Sequence, residues 1–169
     1  TVPQPENDGI LLESLKTRLL ANAEIESISF SFGAPTSENN FSTGYFLTET
    51  GIEELHRVSI KPVDKAYRET YGIKLRAGRW FSEADEQEAR ADVPPEKRKL
   101  VYIVNESAAR RLGFTPDEII GKKITTGVYD IDSEVVGVVE DFHIASLHEE
   151  ISPVILMVLP QYYYTGGIK

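Results

Sequence analysis

Residues 140–150 read EDFHIASLHEE, which brings Glu140, Asp141, Glu149 and Glu150 together with His143 and His148, two of the chain's three histidines. Imidazoles and carboxylates hold zinc and related divalent ions, and they move protons near neutral pH. In a small metal-dependent hydrolase, Glu140, Asp141, His143 and His148 would be the working set. Helical spacing does not favour this. Five residues turn a helix by about 140°, so the two histidines would not share a face as i and i+4 do. LHEEIS also lacks the second histidine of H-E-x-x-H. A turn could still gather the four side chains. The other reading is structural. Val135, Val136, Val138 and Val139 form a buried strand, Glu140 and Asp141 cap the turn after it, and Phe142 and Leu147 pin that turn to the core.

Other chemistry finds less support. The chain has no cysteine, which excludes disulfides, thiolate metal sites and a cysteine nucleophile. Ser146 and His148 lie close together, but no G-x-S-x-G elbow or oxyanion-hole signature accompanies them. The glycines of AGRWF and IIGKK match no phosphate-binding loop. SEADEQEARAD lacks the central glycine and spaced oxygens of a calcium loop and reads as a solvated charged loop. The tyrosines at 162–164 suit a stacking platform or, better, a border to the apolar run before them.

The elements that would position these residues follow from periodicity. The chain has 169 residues, enough to bury a core as one domain or two small lobes. Its net charge of −9 argues against non-specific binding to nucleic acid or to anionic lipid. The longest apolar run, VILMVL at Val154–Leu159, is far short of the ~20 residues of a membrane span and reads as the last clear strand. No signal peptide opens the sequence, so a soluble fragment is expected, as would also be true of a trimmed piece of a membrane protein.

Leu12, Leu15 and Leu19 mark one face of an early helix that Asn7 or Asp8 can cap. Ile28, Phe30 and Phe32 alternate with serines in a half-buried strand, followed by a weak strand at GYFLTE and an alternating one at ELHRVSIKPV. DKAYRETYG is a short helix capped by Asp64 and closed by Gly72, and IKLRAGRWF is a strand ending in a turn at Gly78. Residues 82–98 form a long exposed loop, in part helical. KLVYIV is a strand, after which Asn105 caps a helix that ends at Gly113. Thr115, Pro116 and Glu118 make a capping box that opens a helix stopped by Gly121. KKITT and SEVVGVVED pair as strands, Gly137 marks a bulge or close approach, and SLHEEI is one helical turn. Irregular alternation of strands and helices favours an α+β fold over a doubly wound sheet.

Several segments in this order resemble one known family: VSIKPVDKAYRETYGIKLRAGRWFSEAD, then VYIVNESAARRLGFTPDEIIGKKI, then EVVGVVEDFHIASLHEEISPVIL. They are similar to the MacB-like periplasmic core domain of ABC transporter permeases, the FtsX-like kind common in Bacteroidetes. The family's G-I-x-L-x-x-G-R-x-F-S falls within Tyr71–Ser82, and its V-N-E-x-A-x-x-x-L-G on Val104–Gly113. E-x-x-I-G-K falls on Glu118–Lys122, and V-V-G-V-V-x-D-F-H-x-x-S-L-H-x-x-I-x-P on Val135–Pro153.

The resemblance implies a porter-like β-α-β lobe with a second mixed α/β lobe inserted. Residues 1–61 would open the first lobe, 62–151 would be the inserted lobe, and 152–169 would return a strand to the first. The family normally continues beyond YYYTGGIK with another strand, a helix and a return to the membrane. It also implies a non-enzymatic efflux component: the periplasmic domain of an inner-membrane permease, which transmits motion driven by a cytoplasmic ATPase. Its partners would be the transmembrane part of the same permease, that ATPase indirectly, a periplasmic adaptor protein and a second copy of the domain, with no nucleic acid. On this reading DFHxxSLHxxI is a fold signature, and no catalytic, cofactor or metal residue is assigned. The metal-dependent hydrolase and a stand-alone periplasmic binding module remain as alternatives.

Overall fold

The computed structural model describes residues 9–37, 40–90, 92–94, 97–127, 132–142 and 151–169. In chain order the elements are α1 (Gly9–Leu20), β1 (Ile28–Ser31), β2 (Phe41–Leu47), β3 (His56–Pro62), α2 (Tyr67–Tyr71), β4 (Leu75–Gly78), α3 (Glu83–Glu88), β5 (Val101–Asn105), α4 (Glu106–Arg111), β6 (Lys123–Thr126), β7 (Ser133–Val139), β8 (Val154–Met157) and β9 (Thr165–Ile168). The fold is mixed α+β, as the irregular alternation of elements implied.

Strand β7 organises the main sheet. Its valines at 135, 136, 138 and 139 are all buried, which only a strand covered on both faces allows. One edge of β7 pairs in parallel with β5. The other edge is shared: β6 takes its first residues, through Lys123↔Glu134 and Ile124↔Ser133, and β4 takes its last, through Gly78↔Gly137 and Leu75↔Val139. Because β6 also pairs with β2, strands β7, β5, β8, β3, β2 and β6 close into a ring, with β4 attached outside it. Closure leaves these six strands no free edge along the ring. Pairings β3–β8 and β5–β7 are parallel; the others are antiparallel.

Gly137 serves both purposes expected of it. The β5–β7 register steps from Tyr102↔Val135 to Ile103↔Gly137, so Val136 is an extra residue in the ladder. A Cβ at Gly137 would also lie 2.3 Å from the Arg79 carbonyl oxygen. The core inside and around the ring includes the fully buried Tyr45, Tyr67, Tyr102, Ile60, Ile103, Ile155 and Leu156. Each tyrosine hydroxyl has a partner: Tyr45 donates to the Ala108 carbonyl (3.1 Å), Tyr67 to that of Gly33 (3.0 Å), and Tyr102 is 3.0 Å from Thr126 Oγ1.

A second, two-stranded sheet pairs β1 with β9, from Ile28↔Ile168 to Ser31↔Thr165, with α1 and α2 against β1. The chain thus has a strand after VILMVL, which the glycines of TGGI hid. The alternation expected in β1 holds only at Ile28, which is buried. Ser27, Ser29 and Ser31 are buried, while Phe30 and Phe32 are only half-buried. Phe32 stacks on Phe41 (4.6 Å between centroids) and Tyr164 (5.5 Å), and Phe41 on Tyr162 (5.1 Å). The tyrosine run therefore borders the sheets.

Other expectations change in detail. Asp64 does not cap α2: its carboxylate accepts from Ser29 Oγ (2.7 Å) and the Phe30 amide (3.0 Å) and meets Lys16 Nζ (3.2 Å). Leu12 and Leu19 of α1 face inward, but Leu15 is 43% exposed. The weak strand expected at GYFLTE starts earlier, as the seven-residue β2 from Phe41. The charged stretch from Ser82 is docked by a capping box with Asp85, whose carboxylate also grips Arg79 at 2.6 and 3.0 Å. Thr115 and Glu118 form their capping bonds around a single turn, which Gly121 ends at φ 82° before a helix develops. The expected 61/62 boundary falls inside β3, where Lys61 pairs with Leu156 and Pro62 with Met157. SLHEEI lies outside the described residues.

Candidate functional site

The chain leaves β7 at Glu140 and Asp141, and there four parts of the fold meet. Asn105 starts the arrangement at the end of β5. Its Oδ1 accepts from the amides of Ala108 (3.0 Å) and Val154 (2.9 Å), so one side chain caps α4 and fixes the start of β8. Its Nδ2 donates to the Ser152 carbonyl at 3.0 Å. Two residues on, the Ser107 amide donates to Asp141 Oδ1 (2.8 Å), and Ser107 Oγ lies 3.1 Å from both Asp141 Oδ2 and the Ile151 carbonyl. Arg110 Nη2 completes the Asp141 site at 2.7 Å.

Glu140 and Glu106 form the outer half. Glu106 accepts from Arg76 Nε at 3.2 Å and from the Asp141 amide at 3.4 Å. Glu140 lies 3.7 Å from Lys74 Nζ and 3.8 Å from Arg76 Nη1. These exposed pairs contribute little individually, roughly 0–1 kcal/mol each. The half-buried Asp141 contributes more, because it satisfies an amide at the start of a helix.

The arrangement shows what the carboxylates do. Asp141 accepts from an amide and a guanidinium, and Glu140 is held among cations. A dication would have to displace Arg110, Arg76 and Lys74 from the oxygens it needs. Among the described residues, no group of three or more His, Cys, Asp or Glu side chains could hold a metal ion. His143 and His148 lie outside the described residues. The remaining histidine, His56, sits on β3 with its ring 5.8 Å from that of Tyr45. Phe142 packs against the core, as expected, and Leu147 lies outside the described residues. The sequence reading took Asp141 as the cap of the turn after it. The structure instead shows it binding a helix 34 residues earlier. Ser107, Glu106 and Arg110, its partners, were not singled out; the N-E-S start of α4 was the available signal.

Two open clefts flank this corner. One, of about 420 Å³, is lined by Ser107, Arg110, Arg111, Asp141 and Ile151. The other, of about 400 Å³, lies between the 34–36 loop, the end of α2 and Glu140–Phe142. In the first, Ser107 Oγ meets Asp141, but the Ser107 amide and Arg110 also hold that carboxylate. Shallow, charged and open, the clefts suit docking better than chemistry.

Comparison with known proteins agrees with a non-catalytic role. The profile of the MacB-like periplasmic core domain matches residues 5–166. The chain belongs to that family. MacB-like periplasmic core domains are extracytoplasmic parts of ABC-type permeases and have no catalytic activity of their own.

Three solved structures share the fold. The extracellular domain of the noncanonic ABC-type transporter YknZ from Gram-positive bacteria has a TM-score of 0.61 at 15% identity, over 93% of this chain and 71% of that one. The periplasmic region of MacB from Actinobacillus actinomycetemcomitans has 0.57 at 16% identity, over 88% and 55%. A domain of a putative permease protein from Porphyromonas gingivalis has 0.53 at 14% identity, over 90% and 65%. This MacB-like domain thus spans little more than half of the second chain and just under two thirds of the third. No curated protein matches it.

Proposed function

We propose that this domain transmits ATPase-driven movement within a MacB/FtsX-like permease and docks periplasmic partners or substrate. It would be the periplasmic domain of an inner-membrane efflux permease of the Bacteroidetes type. Its neighbours would be the transmembrane part of the same polypeptide, a periplasmic adaptor, a second copy of the domain and, indirectly, the cytoplasmic ATPase. The porter-like lobe would be built on the small sheet, with the ring as the body it moves against.

The observation that supports this reading is the narrow join between the two sheets. The ring is closed, whereas β1 and β9 meet it through a single ladder bridge, Ser31↔Val63, with the Phe32, Tyr163 and Asp64 side chains packed or bonded around it. Modest joins permit relative motion. The test uses that bridge. The segment contains no cysteine, so Ser31→Cys with Val63→Cys places two thiols on directly opposed antiparallel residues. In the intact permease, oxidation should suppress export while ATP hydrolysis continues, and a reductant should restore export. Undiminished export with the bridge fully formed would show that the domain is a static docking surface.

A further inference from the structure

We propose that the cleft between β3, α4 and the lead-in to β8 is a docking site for an acidic peptide segment of a periplasmic partner. The cleft holds about 290 Å³ and is lined by Ser42, His56, Arg57, Ser59, Arg111 and Ser152, among others. Its position follows from register. Ser42 and Ser59 are opposed on β2 and β3, Arg57 follows two residues along, and Arg111 reaches over from the last turn of α4.

The arginines carry the inference. Arg76, Arg79, Arg90 and Arg110 each face a carboxylate within 4 Å. Among the described residues Arg57 and Arg111 have no ion-pair partner, and neither do Arg18 and Arg68, but Arg57 and Arg111 alone of these four line one hollow. Both are exposed, and both line the same hollow. Two guanidiniums in one concavity, without an ion pair among the described residues, offer an external anion a paired site. Each guanidinium offers a planar fork that matches a carboxylate. Around them, three serine hydroxyls and His56 supply further hydrogen-bonding groups.

Arg111 also lines the neighbouring 420 Å³ cleft, so the two hollows meet at this side chain. Two linked hollows suit successive acidic side chains of an extended segment. This inference deepens the docking part of the function proposed above and rests on it only for the partner being periplasmic. The test reads binding directly, so its failure leaves motion transmission untouched.

The probe is a fluorescein-labelled twelve-residue peptide of alternating Glu and Ser, titrated into the chain at low salt. Saturable binding is expected, weakening at least tenfold when salt is raised tenfold, as ion pairing requires. Arg57→Ser with Arg111→Ser should weaken it at least tenfold. Arg68→Ser with Lys99→Ser makes the same charge change elsewhere and should leave binding within twofold of wild type. Circular dichroism confirms that both variants fold. Equal loss in the two variants, or no binding by wild type, would overturn the proposal. So would binding to phosphatidylglycerol vesicles in place of the peptide, or arginine-dependent self-association in the ultracentrifuge.

Discussion

Lys61 shows how a single residue can carry a cost that the sequence conceals. In ELHRVSIKPV it reads as the polar partner in an alternating strand, yet it is fully buried. Its Nζ donates to the carbonyls of Ala34 (3.1 Å) and Ser37 (2.6 Å), tying the 34–37 segment down over β3. Burial lowers its pKa to about 8, because the charged form loses hydration. In the unfolded chain a lysine holds its proton to about pH 10.4. Between these values the unfolded state binds more protons, so the contribution of Lys61 to stability rises with pH. The penalty is full below pH 8 and gone above about pH 10.4, a change of about 3 kcal/mol at most. Wild type should therefore gain stability relative to Lys61→Met as pH rises from 7.5 to 10, measured by urea unfolding. A difference that stays flat over that range would show that the amine is not penalised by burial. The charge pattern made Lys61 visible; the segment that returns to cover it could not be read from the sequence.

At the scale of elements, strand and helix positions were largely legible where apolar residues recur with a clear period. β3, β5, β7, β8 and α4 fall where the spacing put them, and the caps at Asn105 and Thr115 form as written. β1 was legible as a strand but not in its orientation. Serine normally faces water, and burying these serines depends on polar partners, two of the three distant in sequence. Ser29 meets Asp64, Ser27 meets Thr70 at 3.0 Å, and Ser31 meets the Gly33 carbonyl at 3.1 Å. Asp64 is the centre of that seam, joining α1, β1 and the segment after β3. Asp64→Ala would leave the Ser29 hydroxyl and Phe30 amide without their acceptor and Lys16 without its counter-charge. The expected cost is about 2–4 kcal/mol, or a Tm lowered by roughly 5–15 °C for a chain of this size. Asp64→Asn, which retains an acceptor, should lose less. A calorimetric Tm for the alanine variant within 2 °C of wild type would show that the seam contributes nothing. Of the corner beyond β7, the sequence identified the residues Glu140 and Asp141 but not their role, because their partners lie on β4 and α4.

The whole molecule combines a ring of six strands without free edges, β4 attached outside it, and a small sheet with two. Nothing in the sequence announces closure, which depends on β7 giving β6 the first part of an edge whose rest pairs with β4. The small sheet was half visible, since β9 is too rich in glycine to show a strand pattern. Its geometry has a consequence for load. Ile28 pairs with Ile168 and the Glu26 amide donates to the Lys169 carbonyl (2.7 Å), so β1 begins where β9 ends. Tension between the start of β1 and the end of β9 therefore opens the ladder like a zip, one pair at a time. It does not shear all pairs together, because the bonds lie across the strands. The ring, by contrast, must break several pairings at once. A single molecule pulled from residues 9 and 169 should give first a low-force release of the β1–β9 pairing and then a separate event at higher force. One indivisible event would rule this out. If the order holds, the two strands act as a mechanical fuse. Excess pull from either side would be absorbed by a pairing that re-forms when the load falls, and the ring with its docking clefts would keep its shape throughout.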